Sequence, residues 1–141
     1  MSNKKIKNTK PITTKNVKFK STIESKIYNF LLSKTPEVIY EEAPIIIFSG
    51  YAPRVPFFKS SNFIYSKIRD ITYTPDFTVK YKGFLIYIEV KGWINDVYPY
   101  KRKLFRNYLE SLFLQGVNNI IFAEIKSVKE CQELFNKIDV N

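Results

Sequence analysis

Apolar and polar residues recur along the chain at spacings that predict three helices. Residues 21–33 carry apolar side chains at helical spacing, and Ser21 and Glu24 form a capping-box pattern at their start. The same spacing recurs over residues 96–114, which Gly116 is placed to end, and again near the C-terminal end of the chain. We therefore expect helices at the start, in the second half and at the end of the folded part.

The remaining patterns are typical of short strands. Residues 38–48 predict a strand that is interrupted near Pro44, residues 63–68 predict a short strand, and residues 119–123 predict a strand after the second helix. With a hairpin described next, and without counting the short strand at residues 63–68, the order becomes α-β-β-β-α-β-α, without a repeat or a second domain. This order predicts one α/β (α+β) domain over residues 21–141, with a central mixed sheet flanked by helices.

The hairpin is predicted over residues 70–93, where two strand-like runs flank Lys82-Gly83. An even loop centred on these two residues pairs Phe77 with Ile88, and the same register makes one side of the hairpin wholly apolar. A slip of one residue would mix apolar and polar side chains on both sides. The pattern therefore favours this register over its neighbours.

The opposite side of the hairpin brings two acids together. In this register Asp76 faces Glu89, and Lys91 lies two residues further along the same side. Like charges opposed across a ladder destabilise a sheet by ~0.2–1 kcal/mol, and a bound cation would remove that cost. Two carboxylates commonly hold Mg²⁺ while water and phosphate oxygens complete its octahedron. The alternative is a polar strand face on which Lys91 screens both acids.

Composition narrows the chemistry further. The chain has no histidine, and Cys131 is its single cysteine. Ser-His-Asp and Cys-His triads, histidine zinc sites and disulfide frameworks are thereby excluded. Hydrolysis would have to use carboxylates, lysine, tyrosine or a hard metal ion bound by oxygen. With no membrane-length apolar run and no secretory signal, this composition predicts a protein of a reducing, intracellular compartment.

The positive charge is concentrated at two places. The net charge is +10, and residues 1–20 hold seven lysines and no acid. We expect this segment to be a flexible arm that binds polyanions such as DNA, or a tail that only aids solubility. The arm residues predicted to contact DNA are Lys4, Lys5, Lys7 and Lys10.

A second basic cluster, Lys101-Arg102-Lys103, lies near the start of the helix over residues 96–114. Cations there oppose the helix macrodipole by ~0.3–1 kcal/mol each. They are tolerated where the same helix end binds phosphate, so we predict that these three residues contact DNA. A solvated helix face is the alternative.

Pro75-Asp76 and Glu89-Val90-Lys91, with residues 77–88 between them, resemble the PD-(D/E)XK nuclease motif. Together with Glu24 and the basic helix, the motif is similar to that of the phage endonuclease I branch of Holliday-junction resolvases. The resemblance covers about residues 21–123. It implies a restriction-endonuclease-like fold for that part of the chain.

The resemblance also implies an activity, that of an endonuclease dependent on Mg²⁺ or Mn²⁺. Asp76, Glu89 and the backbone carbonyl of Val90 would bind the metal, and Lys91 would assist the attacking water. Glu24 would complete the catalytic site, although its capping box with Ser21 gives it a structural alternative.

The implied substrate is DNA, branched as in a Holliday junction, cut inside a bacterial host of a phage. Two coordinated cuts would require a homodimer. A sequence-specific or nicking nuclease of the same fold, and a non-catalytic nucleic-acid-binding protein, remain the alternatives. Residues 49–69 hold cations among aromatic residues, which could either stack on unpaired bases or pack inside the protein.

Overall fold

The structure is a computed structural model that describes residues 12–14, 17–92 and 96–140. The strands are β1 (Ile12–Thr14), β2 (Val17–Phe19), β3 (Val38–Tyr40), β4 (Ile45–Phe48), β5 (Phe57–Lys59), β6 (Asn62–Ile64), β7 (Ile71–Tyr73), β8 (Phe77–Tyr81), β9 (Phe84–Val90) and β10 (Ile120–Ile125). The helices are α1 (Thr22–Lys34), α2 (Tyr98–Leu114) and α3 (Val128–Val140). The three predicted helices are thus confirmed, with shifts of one or two residues at their ends.

A four-stranded sheet, in the order β10-β9-β8-β3, forms the centre of the molecule. β9 runs parallel to β10 and antiparallel to β8, and β3 runs antiparallel to β8. The predicted mixed α/β class is therefore confirmed. Counted over this sheet and the helices alone, the order along the chain is α-β-β-β-α-β-α, as the sequence pattern predicts.

The central hairpin adopts the predicted register, with Phe77 opposite Ile88 and Val79 opposite Ile86. Its turn at Lys82 and Gly83 has φ angles of 47° and 82°, and positive values at both positions are what a two-residue type I′ turn requires. The middle of the apolar side of the hairpin is fully buried in a core with side chains from α1 and α3, and its ends are partly buried. This turn and this core fix where the polar side of the hairpin lies.

The other side of the sheet is covered as well, by a second core. Phe105 of α2 is fully buried there with Tyr87, Tyr73 and Ile47. Phe113, on the predicted apolar stripe of α2, is instead 60% exposed, because the end of the helix extends beyond that core. The acids predicted on the polar side therefore face a protein layer rather than open solvent.

Residues 38–48 split at Pro44, as predicted, into strands that join different sheets. β3 pairs with β8 in the central sheet, whereas β4 pairs with β7 in a separate two-stranded sheet. Between β4 and β7 the chain forms the short β5–β6 hairpin, which includes part of the strand predicted over residues 63–68. The four strands between β3 and β8 in the chain, β4 to β7, thus form two separate two-stranded sheets and do not join the central sheet.

The folded part reaches further toward the N-terminus than the expected boundary at residue 21. β1 and β2 pair as a hairpin, and the ring of Phe19 is fully buried against Tyr28 and Tyr40, at centroid distances of 4.9 and 4.7 Å. Lys4, Lys5, Lys7 and Lys10 lie outside the described residues. Among the described helices, none is long and apolar enough to cross a membrane.

Candidate functional site

Asp76 is fixed at the centre of the candidate site by the backbone around it. It follows the buried Pro75, directly before β8, and is only 8% exposed. Its Oδ2 accepts a hydrogen bond of 2.7 Å from the backbone N–H of Val90 at the end of β9. Its carboxylate is therefore held at the level at which β8 and β9 separate.

Glu24 reaches the same place from the first turn of α1, and it also takes part in the helix cap. The Ser21 Oγ accepts from the Glu24 N–H at 3.2 Å, whereas Glu24 Oε2 accepts from the backbone N–H of Lys20 at 3.1 Å. A full capping box would return that bond to Ser21 instead. Glu24 Oε2 also accepts from the Tyr40 hydroxyl at 3.2 Å, so one carboxylate serves both the cap and the cluster.

Glu89 approaches Asp76 from β9, and Tyr73 of β7 orients it. The Tyr73 hydroxyl donates to Glu89 Oε1. The Tyr73 ring is buried and lies 4.7 Å from the Phe105 ring, centroid to centroid. The second core therefore fixes the donor that holds Glu89.

Burial is the main cause that raises the pKa of all three acids. Burial, followed by the charges of Glu89 and Glu24, holds the pKa of Asp76 well above its usual range. Burial raises the pKa of Glu89 to about 7, against the opposing hydrogen bond from Tyr73, and burial also raises the pKa of Glu24. Full ionisation of the cluster is therefore unfavourable without a compensating cation.

Lys20 supplies part of that compensation, although its sequence position places it in the predicted arm. Its positive charge lowers the pKa of Glu24, Asp76 and Glu89. Its Nζ forms an ion pair of 2.5 Å with Glu41 Oε1. Burial lowers the pKa of Lys20, but the bond to Glu41 and the acids around it raise that pKa overall. In the sequence, the feature that could have indicated this role of Lys20 is its position directly before Ser21, the N-cap of α1.

Lys91 lies beside a second charged cluster, centred on Glu124. Glu124 of β10 is in register with Glu89, so the two acids lie on the same side of the sheet. Lys91 Nζ is 3.8 Å from Glu124 Oε2. The ion pair that the structure gives Lys91 is thus with Glu124, and not with the two acids that the screening alternative assigned to it.

Two residues of α2 hold the other oxygen of Glu124. Arg102 Nη1 lies 2.9 Å from Glu124 Oε1, and the Tyr98 hydroxyl donates to the same oxygen at 2.7 Å. Burial raises the pKa of Glu124, but the bonds to Arg102 and Tyr98 outweigh burial and lower that pKa overall. Glu124 and Tyr98 were missed because only the parallel pairing of β9 with β10 brings them to the site.

The basic cluster of α2 is therefore divided. Arg102 points inward to Glu124, whereas Lys103 is exposed and Lys101 is partly exposed. Among the residues that the structure describes, the N-cap position supplies no side-chain cap to this helix, and the first turn carries no acid. A phosphate contact at this end of α2 stays a prediction, and Lys103 is the most exposed of the three basic residues.

The carboxylates fit a hard cation with few protein ligands. Within the ranges that the structure describes, no three or more His, Cys, Asp or Glu side chains are arranged as a ready-made metal cage. Mg²⁺ commonly takes only one or two carboxylates and keeps several waters. Asp76 and Glu89 satisfy that smaller requirement, and the metal role of the Val90 carbonyl stays a prediction.

Comparison with known proteins adds one finding. No curated protein and no solved structure matches the chain. The family described as "Protein of unknown function (DUF1064)" matches residues 4–124, which include all the acids and Lys91 of the site. The chain therefore belongs to the DUF1064 family.

Proposed function

We propose that the protein is an endonuclease dependent on Mg²⁺ or Mn²⁺ that hydrolyses phosphodiester bonds in DNA, with branched DNA such as a Holliday junction as its substrate. The observation that carries the proposal is that the buried Glu24 of α1 and the buried Asp76, directly before β8, meet the half-buried Glu89 of β9. Asp76 and Glu89-Val90-Lys91 resemble the PD-(D/E)XK motif, and this resemblance indicates metal-dependent phosphodiester hydrolysis as the reaction that these acids would serve.

Such a cluster lowers the stability of the fold unless it binds a ligand. Burying carboxylates against one another raises their pKa values and opposes folding at neutral pH. A divalent cation bound to Asp76 and Glu89 would reverse that effect, and the Val90 carbonyl is its expected third protein ligand. When bound, the cation would stabilise negative charge on the phosphoryl group and make a water molecule more acidic.

Two side chains keep the acids in position for this role. Tyr73 donates to Oε1 of Glu89 and holds this carboxylate beside Asp76. Tyr40 and the Lys20 N–H hold one oxygen of Glu24, whose carboxylate then completes the site beside Asp76. Geometry that is fixed before substrate binds is what general acid–base and electrostatic catalysis require.

Lys91 is the residue proposed to act on the attacking water. Its ion pair with Glu124 is long, at 3.8 Å, so a DNA phosphate can compete for the ammonium group. In the reaction a water oxygen bonds to phosphorus, the phosphorus–oxygen ester bond breaks, and the products are a phosphate monoester and a hydroxyl. The Lys91 ammonium donates a hydrogen bond that orients this water, and Glu124 keeps Lys91 close to the reacting group. The proton that the water loses passes to a carboxylate of the site, and the leaving oxygen takes up a proton from solvent.

The charge of the chain supports DNA as the partner. The net charge is +10, and the lysines at residues 4–10 together with Lys101, Arg102 and Lys103 supply candidate phosphate contacts. Phosphate contacts of this kind give affinity and orientation without sequence specificity. Two coordinated cuts in a junction would need two copies of the chain, and we expect a homodimer acting inside the cell.

The test is cleavage of supercoiled plasmid and of a synthetic four-way junction with Mg²⁺ or Mn²⁺, compared with EDTA. We expect metal-dependent cleavage, faster on the junction than on a linear duplex of the same sequences. Asp76→Ala should abolish it, whereas Glu133→Ala, an exposed acid on α3, should cut like the wild type. Cleavage that survives EDTA or Asp76→Ala would refute the proposed site.

Other outcomes would identify the alternatives. Equal cutting of linear and branched DNA would favour a nicking nuclease, and cutting at one sequence would favour a sequence-specific nuclease. Tight DNA binding without cleavage under any metal would leave a non-catalytic nucleic-acid-binding protein on this fold.

A further inference from the structure

Residues 49–69, here named the basic aromatic loop, expose their apolar side chains instead of burying them. Exposed fractions are 52% for Tyr51, 63% for Phe57, 66% for Phe58, 66% for Phe63 and 55% for Tyr65. Scattered apolar residues on a surface are normal, but several exposed aromatic rings in one segment mark a binding surface. The aromatic rings of this loop are thus available to a ligand.

The rings are presented by a defined hairpin. Phe58 of β5 lies directly opposite Phe63 of β6, and the two rings contact edge to face at a centroid distance of 5.6 Å. Ser60 and Ser61 turn the chain with φ angles of 53° and 67°, a tight turn that keeps the pair side by side. A lone two-stranded hairpin is marginally stable in water, so its exposed rings indicate a role other than packing.

The charges of the same loop indicate what the ligand is. The loop carries Arg54, Lys59, Lys67 and Arg69 and contains no acid. Cations interleaved with aromatic rings are the usual composition of a site for single-stranded nucleic acid, where rings stack on bases and cations follow the backbone. An apolar protein partner would account for the rings but not for four cations without an acid.

We propose that the basic aromatic loop is a second nucleic-acid-binding site, in which Phe58 and Phe63 stack on unpaired bases and the four cations bind the adjoining phosphates. The loop leads directly into β7, which carries Tyr73 and therefore contacts Glu89. Unpaired bases held at the loop would lie in a strand that continues toward the candidate catalytic site. The inference rests on the proposed function only in taking DNA as the ligand.

The experiment measures binding without cleavage. Fluorescence anisotropy in EDTA compares a labelled oligothymidylate of about 20 nucleotides, long enough for a small single-strand site, with a duplex of the same length. We expect the double variant Phe58→Leu, Phe63→Leu to bind the single strand roughly 10-fold or more weakly, since each stacked base contributes about 5- to 150-fold. Duplex binding should change much less.

Three controls make the result specific. Phe58→Tyr with Phe63→Tyr keeps both rings and should keep single-strand binding. Phe113→Leu removes a ring of similar exposure at the far end of α2 and should change nothing. Unchanged melting temperatures would establish that the leucine variant is folded, which we expect because the replaced rings are exposed.

Each remaining outcome overturns the inference. Single-strand affinity that does not change in the leucine variant, or that falls equally with duplex affinity, would exclude base stacking. Self-association that depends on Phe58 and Phe63, at unchanged DNA affinity, would make the loop an interface between copies of the chain. Because the assay contains no metal, a catalytically inactive protein could still confirm this site, and an active nuclease could still refute it.

Discussion

The acidic cluster and the basic aromatic loop depart from the ordinary distribution of residues in opposite directions. Asp76 and Glu24 are charged side chains that are 8% and 5% exposed, whereas Phe58 and Phe63 are apolar side chains that are each 66% exposed. Charged groups are almost never fully buried without partners, and large exposed apolar surfaces are uncommon on monomers. Each departure is one that the ligand proposed for that region would account for.

The two regions differ in how rigidly they are held. Three separate elements and the second core fix the acidic cluster, which suits chemistry that depends on sub-ångström geometry. The loop is supported mainly by its own two strands and by a short pairing at its base. Such a surface suits binding of a flexible ligand, because it can adjust to bases of different shape.

The largest expected effect is on the cleavage rate, when a charged side chain of the candidate catalytic site is removed. Glu89→Ala and Lys91→Ala should each slow cleavage of a four-way junction by roughly 10²–10⁴-fold, the usual contribution of a general acid or base. Binding of the junction in EDTA should change little, because most of the proposed phosphate contacts lie at residues 4–10 and 101–103. Single-turnover kinetics would measure the cleavage rate, and anisotropy would measure the binding affinity. A Glu89→Ala enzyme that cuts at the wild-type rate would refute a catalytic role for the acidic cluster.

A smaller effect is expected at Glu24, where the cap and the site share one carboxylate. Glu24→Gln keeps an oxygen for the Lys20 N–H and for the Tyr40 hydroxyl but removes the charge. We expect cleavage to fall by roughly 10–100-fold, as for other supporting groups of metal sites, at a nearly unchanged melting temperature. The reverse pattern, lower stability with full activity, would assign Glu24 to the cap alone.

The basic side of the comparison can be tested through salt dependence. Deletion of residues 1–11 removes Lys4, Lys5, Lys7 and Lys10 and stops before β1, so that the buried Phe19 is kept. On duplex DNA, the slope of log K against log salt concentration should become shallower by ~0.9 for every phosphate that these lysines neutralise. An unchanged slope in a titration by anisotropy would return these lysines to a role in solubility.

The smallest effect is on stability. Asp76→Asn keeps the shape of the side chain and removes one charge, so in EDTA at neutral pH it should raise stability by ~0.2–1 kcal/mol. Mn²⁺ should reverse the ranking, because a ligand that binds the native state stabilises the protein that binds it better. Thermal melts in EDTA and in Mn²⁺ measure both, and a mutant that melts lower in EDTA with no metal shift in either protein would contradict a metal site.

The pH dependence of those melts gives an independent check. The pKa of Glu89 is raised from 4.5 to about 7 in the folded protein, so between these values the folded state binds more protons than the unfolded state. Stability without metal should therefore fall as pH rises through this window. Glu89→Gln should remove that part of the slope, which a wild-type comparison in the same buffers would reveal.

The parts of the fold that local chemistry decides could be predicted from the sequence. The register of the central hairpin follows from Lys82-Gly83 and from alternation of apolar residues, and the structure confirms it. The same register brings Asp76 and Glu89 together. The helices also follow from local spacing and caps, which act over a few residues.

The parts decided by distant packing could not be predicted. Tyr73 reaches Glu89 only through the β4–β7 sheet, and Glu124 faces Lys91 only through the parallel β10. The place of Lys20 beside the acids could not be predicted, because in the sequence it is one of several lysines in residues 1–20 and does not differ from the others. In the basic aromatic loop, no period of two or of 3.6 decides between packing and exposure, and only the structure could.

One feature at the base of that loop bears on how the protein could change during evolution. The Gly50 N–H donates to Asp70 Oδ1 at 2.6 Å, and Tyr51 pairs with Ile68, so the ends of the loop meet. A Cβ on Gly50 would lie 2.1 Å from the carbonyl oxygen of Ile68, which only glycine avoids. Because these contacts close the base of the loop, the segment between Tyr51 and Ile68 can be lengthened, shortened or exchanged while β4 and β7 stay paired. Relatives could thus acquire new ligand preferences by replacing one module, and an engineer could graft a different loop between Gly50 and Asp70 without redesigning the site.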